Sequence, residues 1–180
     1  MSTSATQRVR RVRRFEPRSH FASAMTMTGH VDGDDASTGV SYLELAEVLM
    51  RHGAQPNADL RELWTRIVFN LLVSNTDDHL RNHGFILEPG AGWRLSPAYD
   101  MNPVAIAEGL KLNITEADNA LNLELAREVC EYFRLSLKDA DEIIDDFRDI
   151  VGQWPTLAAR LALSAREQER MADAFRVAGT

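Results

Sequence analysis

The chain has 180 residues, 44% of them hydrophobic and 26% charged, with a formal net charge of −7 at pH 7. That is enough to bury one core, and the charge content is ordinary for a globular protein. No apolar run approaches the roughly 18–20 residues that span a bilayer, and the arginine-rich start lacks the apolar stretch of a secretory signal. The single cysteine, Cys130, can form no internal disulfide and reads as a small buried hydrophobe. A cytoplasmic protein without a membrane partner is expected.

Residues 1–18 hold six arginines against one acid, Glu16, so a basic arm precedes an acidic body. Such an arm can contact nucleic acid. No recognised nucleic-acid motif accompanies it, however, and Val9, Val12 and Phe15 interleave with the arginines as in an edge strand. Direct nucleic-acid binding is therefore not the expected function. Residues 22–40 are rich in Gly, Ser, Thr and Asp and read as loop. Ser41 and Glu44 then have the spacing of a capping box. The helix they open should end at Gly53, a residue suited to a left-handed C-terminal cap.

From Leu60 the apolar positions run Leu60, Leu63, Trp64, Ile67, Val68, Leu71 and Leu72, one continuous stripe on a helix expected over 58–74. The stripe stops at NTDDHLRNHG, residues 75–84, which crowd two carboxylates, two histidines, two asparagines and an arginine into ten positions. Phe85–Leu87 and Trp93–Leu95 flank a PGAG turn and predict a β-hairpin over 84–96, closed by Pro97. Helices follow over about 116–134, from Ser136 with Asp139 as a second capping box, over WPTLAARLAL, and from the Ser164–Glu167 box to about 177. The expected fold is mainly α with one small β-hairpin.

Asp77 and Asn82 are separated as D-x-x-x-x-N, and Asp100 follows across the hairpin. Phosphoryl transfer needs such groups: one carboxylate to accept the proton of the attacking hydroxyl, and hard oxygens to hold Mg²⁺ on the phosphates. The three oxygens should then face one cleft at the end of the Leu60–Leu72 helix. The spacing alone is weak, and other readings remain open. His79 and His83 are four apart, as two metal ligands on one helix would be. Asp and Asn at a helix end also commonly satisfy loose backbone donors and nothing more.

NLLVSNTDDHLRNHGFIL followed by GWRLSPAYDMNP resembles the catalytic segment of HipA-like serine/threonine kinases, the toxin halves of bacterial toxin–antitoxin pairs. SAMTMTG, SYLELAEVL and LKLNITEADNALNLELAREVCEYFRL resemble the segments on either side of it. The resemblance implies a protein-kinase-like C-terminal, helical lobe over 21–180, with a hinge-like segment over 1–20. It implies ATP and Mg²⁺ as cofactors, Asp77 as proton acceptor, and Asn82 and Asp100 as metal ligands. His79, Leu80, Arg81, Asn82, Tyr99 and Asp100 would contact the nucleotide, and Arg13, Arg14 and Phe15 would lie at the hinge. Arg81 stands where the family usually has lysine, which keeps the charge and changes the geometry.

The chain departs from a complete kinase upstream. Its only lysines, Lys111 and Lys138, follow the candidate loop, and no G-x-G-x-x-G occurs. The expectation is a C-terminal lobe alone. Either it transfers the ATP γ-phosphate to a protein Ser or Thr once a separately encoded N-terminal lobe completes it, or it is an inactive remnant that binds an antitoxin. The family includes toxins whose protein substrate is an aminoacyl-tRNA synthetase.

Overall fold

The computed structural model describes residues 19–106 and 108–179. The hinge-like residues Arg13, Arg14 and Phe15, and the rest of the basic arm, lie outside the described residues. The observed elements are β1 (Phe21–Ser23), α1 (Ala24–Thr28), α2 (Tyr42–His52), α3 (Pro56–Leu72), β2 (Gly84–Glu88), β3 (Gly92–Leu95), α4 (Leu123–Val129), α5 (Leu137–Gly152), α6 (Trp154–Arg160) and α7 (Ala165–Met171).

Helix α3 is the axis of the core. Every member of its predicted stripe is fully buried, and the indole of Trp64 donates to the carbonyl of Ala126 at 2.9 Å, tying α4 to it. Pro56 occupies the first turn, where its missing N–H costs nothing. Around α3 pack Leu45 and Leu49 of α2, Ala126 and Val129 of α4, and Ile143 and Ile144 of α5 in one apolar cluster. The three predicted capping boxes are present: Glu44, Asp139 and Glu167 accept from the backbone N–H of Ser41, Ser136 and Ser164.

The predicted hairpin is there, with Phe85 opposite Leu95 and Glu88 opposite Gly92. It is extended by β1, whose Ser23 pairs with Gly84 and Phe21 with Ile86, so the sheet is three-stranded and antiparallel in the order β1-β2-β3. Residues 22–40 are thus not simply loop. Ser23 ends β1 and caps α1 through its hydroxyl, which accepts from Thr26 N–H at 3.2 Å. The exposed Phe21 ring lies over Gly84, where a Cβ would fall 2.2 Å from it and oblige the ring to move.

Three further expectations are corrected. Gly53 does not take a left-handed cap: its φ is −73°, and its reason is steric, since a Cβ would lie 2.2 Å from the Leu49 carbonyl oxygen. The helix expected over 116–134 begins only at Leu123 and tightens to a 3₁₀ turn over Cys130–Phe133. Upstream, Thr115, Asp118 and Asn122 spend their side chains on nearby backbone N–H groups and hold a series of turns. The last helix also tightens, to a 3₁₀ stretch over Ala172–Gly179. Cys130 is buried, as expected.

One ion pair and one hydrogen bond dock the sheet on α3. Asp59 accepts from the Arg94 guanidinium at 2.8 and 3.0 Å and from Leu95 N–H at 3.2 Å. About two turns further along, Arg66 donates to the Ser96 carbonyl at 2.7 Å. The strand exit at 96–100 is thereby laid along α3, toward the helix end where the polar cluster sits.

Candidate functional site

Helix α3 stops because Ser74 turns left-handed, with φ at +50°. The chain then makes a compact turn: Asn75 N–H reaches the Asn70 carbonyl at 2.8 Å, and a 3₁₀ turn forms over Leu80–Asn82. This turn sends its two adjacent carboxylates opposite ways. Asp77 is exposed and lines a cavity of about 240 Å³ together with Met25, His79, Leu80 and Arg81. Asp78 is 2% exposed and faces inward, where it accepts from Tyr42 Oη (2.5 Å), Asn70 Nδ2 (2.7 Å) and His83 Nε2 (2.9 Å). Burial, and then this carboxylate, push the Tyr42 phenol well above its ordinary pKa.

Asn82 folds back on Asp77: its Nδ2 donates to the Asp77 carbonyl at 3.2 Å, and its own N–H to the His79 carbonyl at 2.8 Å. Arg81 forms an ion pair with Asp32 on the opposite cavity wall, and its carbonyl accepts from Tyr99 Oη at 2.7 Å. That bond brings the 99–100 segment against the turn. Asp100 is exposed in the left-handed region, φ +58°, and its Oδ1 accepts from Asn102 Nδ2 at 2.8 Å. The structure therefore joins Asp77 to Asn82 directly, and Tyr99 to Arg81. Asp100 comes with Tyr99 and makes no hydrogen bond to Asp77 or Asn82.

The far wall is the 31–35 loop, part of the stretch whose composition reads as loop but which carries no motif pointing to a site. His30 anchors it, with Nε2 2.7 Å from Glu44 and Nδ1 3.1 Å from Asp34. Partial burial works against a charge on His30, but the two carboxylates outweigh it and its pKa is raised. The zinc-like spacing of His79 and His83 is not realised as a pair. His83 is engaged by Asp78, and His79 Nε2 lies 3.3 Å from an Arg81 nitrogen. Among the described residues no group of three His, Cys, Asp or Glu side chains could hold a metal. The donors that remain are of the type Mg²⁺ takes. With its Nδ2 used on Asp77, Asn82 offers an amide oxygen; Asp100 offers an exposed carboxylate. Mg²⁺ commonly takes one or two protein oxygens and fills its other positions with phosphate and water.

A mainly helical lobe with a small antiparallel sheet and an Asp-x₄-Asn turn at a core helix end is the class this molecule defines. The family model described as the HipA-like C-terminal domain matches residues 1–154, and the chain belongs to that family. A Haemophilus influenzae protein described as "Putative kinase" is 36% identical over 73 residues, which is 41% of this chain and 21% of that protein. Among solved structures, the fold is shared with a chain of the Shewanella oneidensis MR-1 toxin–antitoxin complex of HipA, HipB and operator DNA. The TM-score is 0.67 at 19% identity, covering 94% of this chain and 45% of that one. The chain thus spans less than half the length of the relatives it matches.

Proposed function

We propose that this chain is the catalytic, helical lobe of a serine/threonine protein kinase of a toxin–antitoxin pair, using ATP and Mg²⁺. The observation that carries the reading is the Asp77–Asn82 turn: an exposed carboxylate in a cavity, with the asparagine folded onto its backbone. Asp77 accepts the proton of the attacking Ser or Thr hydroxyl. Asn82 and Asp100 would hold Mg²⁺, whose contribution is to neutralise charge on the transferring phosphates. His79, Leu80, Arg81 and Tyr99 face the nucleotide, with Arg81 supplying positive charge beside it. Arg13, Arg14 and Phe15 are assigned to the hinge by family resemblance alone. The protein substrate stays a class, a Ser- or Thr-bearing protein such as an aminoacyl-tRNA synthetase. The proposed partners are an antitoxin and a protein supplying a glycine-rich loop and strand lysine.

A second reading, an antitoxin-binding lobe without catalysis, draws on an apolar groove beside α6 that no described residue covers. Both are tested by incubating the purified chain, alone and with its co-expressed partner proteins, with γ-labelled ATP and Mg²⁺. Label transfer that Asp77→Asn abolishes at unchanged melting temperature is the expected result. Transfer at the same rate by Asp77→Asn would sink the assignment of Asp77, and partner binding with no transfer in any mixture would favour the second reading.

A further inference from the structure

The Asp78 carboxylate is buried at the junction of three chain segments, and each sends it a donor: Tyr42 from the start of α2, Asn70 from the last turns of α3, and His83 from the entry to β2. Asn70 is itself oriented, because its Oδ1 accepts from Asn75 Nδ2 at 3.0 Å. Tyr42 and His83 also meet edge to face, 5.8 Å between ring centroids at 88°. A buried carboxylate needs such donors, since an uncompensated charge or an orphaned donor in that position is costly.

The sequence positions of these contacts matter more than their number. Asp78 follows Asp77 and His83 follows Asn82, so the Asp78–His83 bond closes a six-residue turn one position along from the two groups that the proposed chemistry needs, with Asp77 just before it and Asn82 just inside its end. Beside that closure, Asn82 Nδ2 reaches back to the Asp77 carbonyl. We infer that Asp78 is the positioning residue of this site, setting the separation of Asp77 and Asn82 through His83 while anchoring the turn to α2 and α3 through Tyr42 and Asn70. The inference rests on the kinase reading for its purpose, but not for its geometry. Asp78 touches neither nucleotide nor acceptor in this scheme; it acts through its neighbours.

Asp78→Asn keeps the shape, removes the charge and turns one acceptor into a donor. Native-state hydrogen exchange on the full chain reads its effect whether or not ATP binds. The backbone amides of Asp78 and Asn82, bonded to the Asn75 and His79 carbonyls, are expected to exchange about tenfold faster or more in the variant. The amides of Ile67 and Val68, in the middle of α3, should hold their wild-type rates. Ile67→Ala serves as the stability control, since it opens the core without touching the turn. At a matched drop in melting temperature it should leave the turn's protection and Mg²⁺-ATP affinity alone, whereas Asp78→Asn weakens that affinity by about tenfold. Unchanged exchange at Asp78 and Asn82 in Asp78→Asn would overturn the inference, as would parallel losses in Asp78→Asn and Ile67→Ala. If wild type itself shows no Mg²⁺-ATP binding while the exchange result stands, the kinase reading falls and the positioning role does not.

Discussion

Asp77 and Asp78 are chemically identical neighbours with opposite fates, and the difference lies in what each meets. Asp78 finds three donors in the core; Asp77 finds a cavity. Asp100 resembles Asp77 in exposure and adds a constraint of its own, a φ of +58° that Asp and Asn tolerate better than other residues with a Cβ. Asp100→Asn should therefore leave the backbone undisturbed. It gives up only a surface charge, since the asparagine Oδ1 can still accept from Asn102 Nδ2, a change worth within about ±0.5 kcal/mol at an exposed site. The expected outcome is an unchanged or slightly raised melting temperature, together with loss of Mg²⁺-dependent nucleotide binding by titration calorimetry. Unfolding of Asp100→Asn would make the residue a structural one and remove it from the site.

At the scale of elements, the parts announced by periodicity and capping were legible: α2, α3, α5, the hairpin, and the Ser-x-x-acid starts at Ser41, Ser136 and Ser164. The misses have physical causes. Strand β1 is three residues long and α1 five, too short for a period to register. The 116–122 stretch has helical spacing, but Asp118 and Asn122 offer the backbone competing partners. Within the site, the D-x-x-x-x-N spacing pointed to Asp77 and Asn82. No local pattern could say that Asp78 turns inward to Tyr42, 36 positions away, or that His30 would clamp the 31–35 loop to α2. That clamp is open to a pH test. The His30 pKa is raised above 6.5, so its pairing with Glu44 and Asp34 stabilises fully below the unfolded value and is lost as pH rises through the folded one. The Asp34 pKa is lowered, first by the Val31 N–H and further by His30, so its own contribution persists until the pH falls below the ordinary carboxylate range. The melting temperature should fall as pH rises from about 6.5, and His30→Gln should flatten that part of the curve. An equal fall in both proteins would place the titration elsewhere.

For the molecule as a whole, net charge and apolar surface act in opposition. The chain carries −7, which holds copies apart over a distance set by ionic strength. Near α6, Leu157 and Leu161 are 54% and 63% exposed and flank a groove of about 640 Å³ floored by Trp154 and Phe175, whose rings stack 4.6 Å apart. A contiguous apolar surface of this kind attracts other apolar surface once charge repulsion is screened. The screening length falls from about 10 Å at 0.1 M salt to about 3 Å at 1 M. Added sodium chloride should therefore raise the apparent mass by light scattering at fixed protein concentration. Leu157→Glu with Leu161→Glu should hold the protein monomeric over the same range, because two charges then sit on the groove's rim. Salt-driven association that survives both substitutions would put the sticking surface elsewhere on the molecule and leave the groove without a part in it.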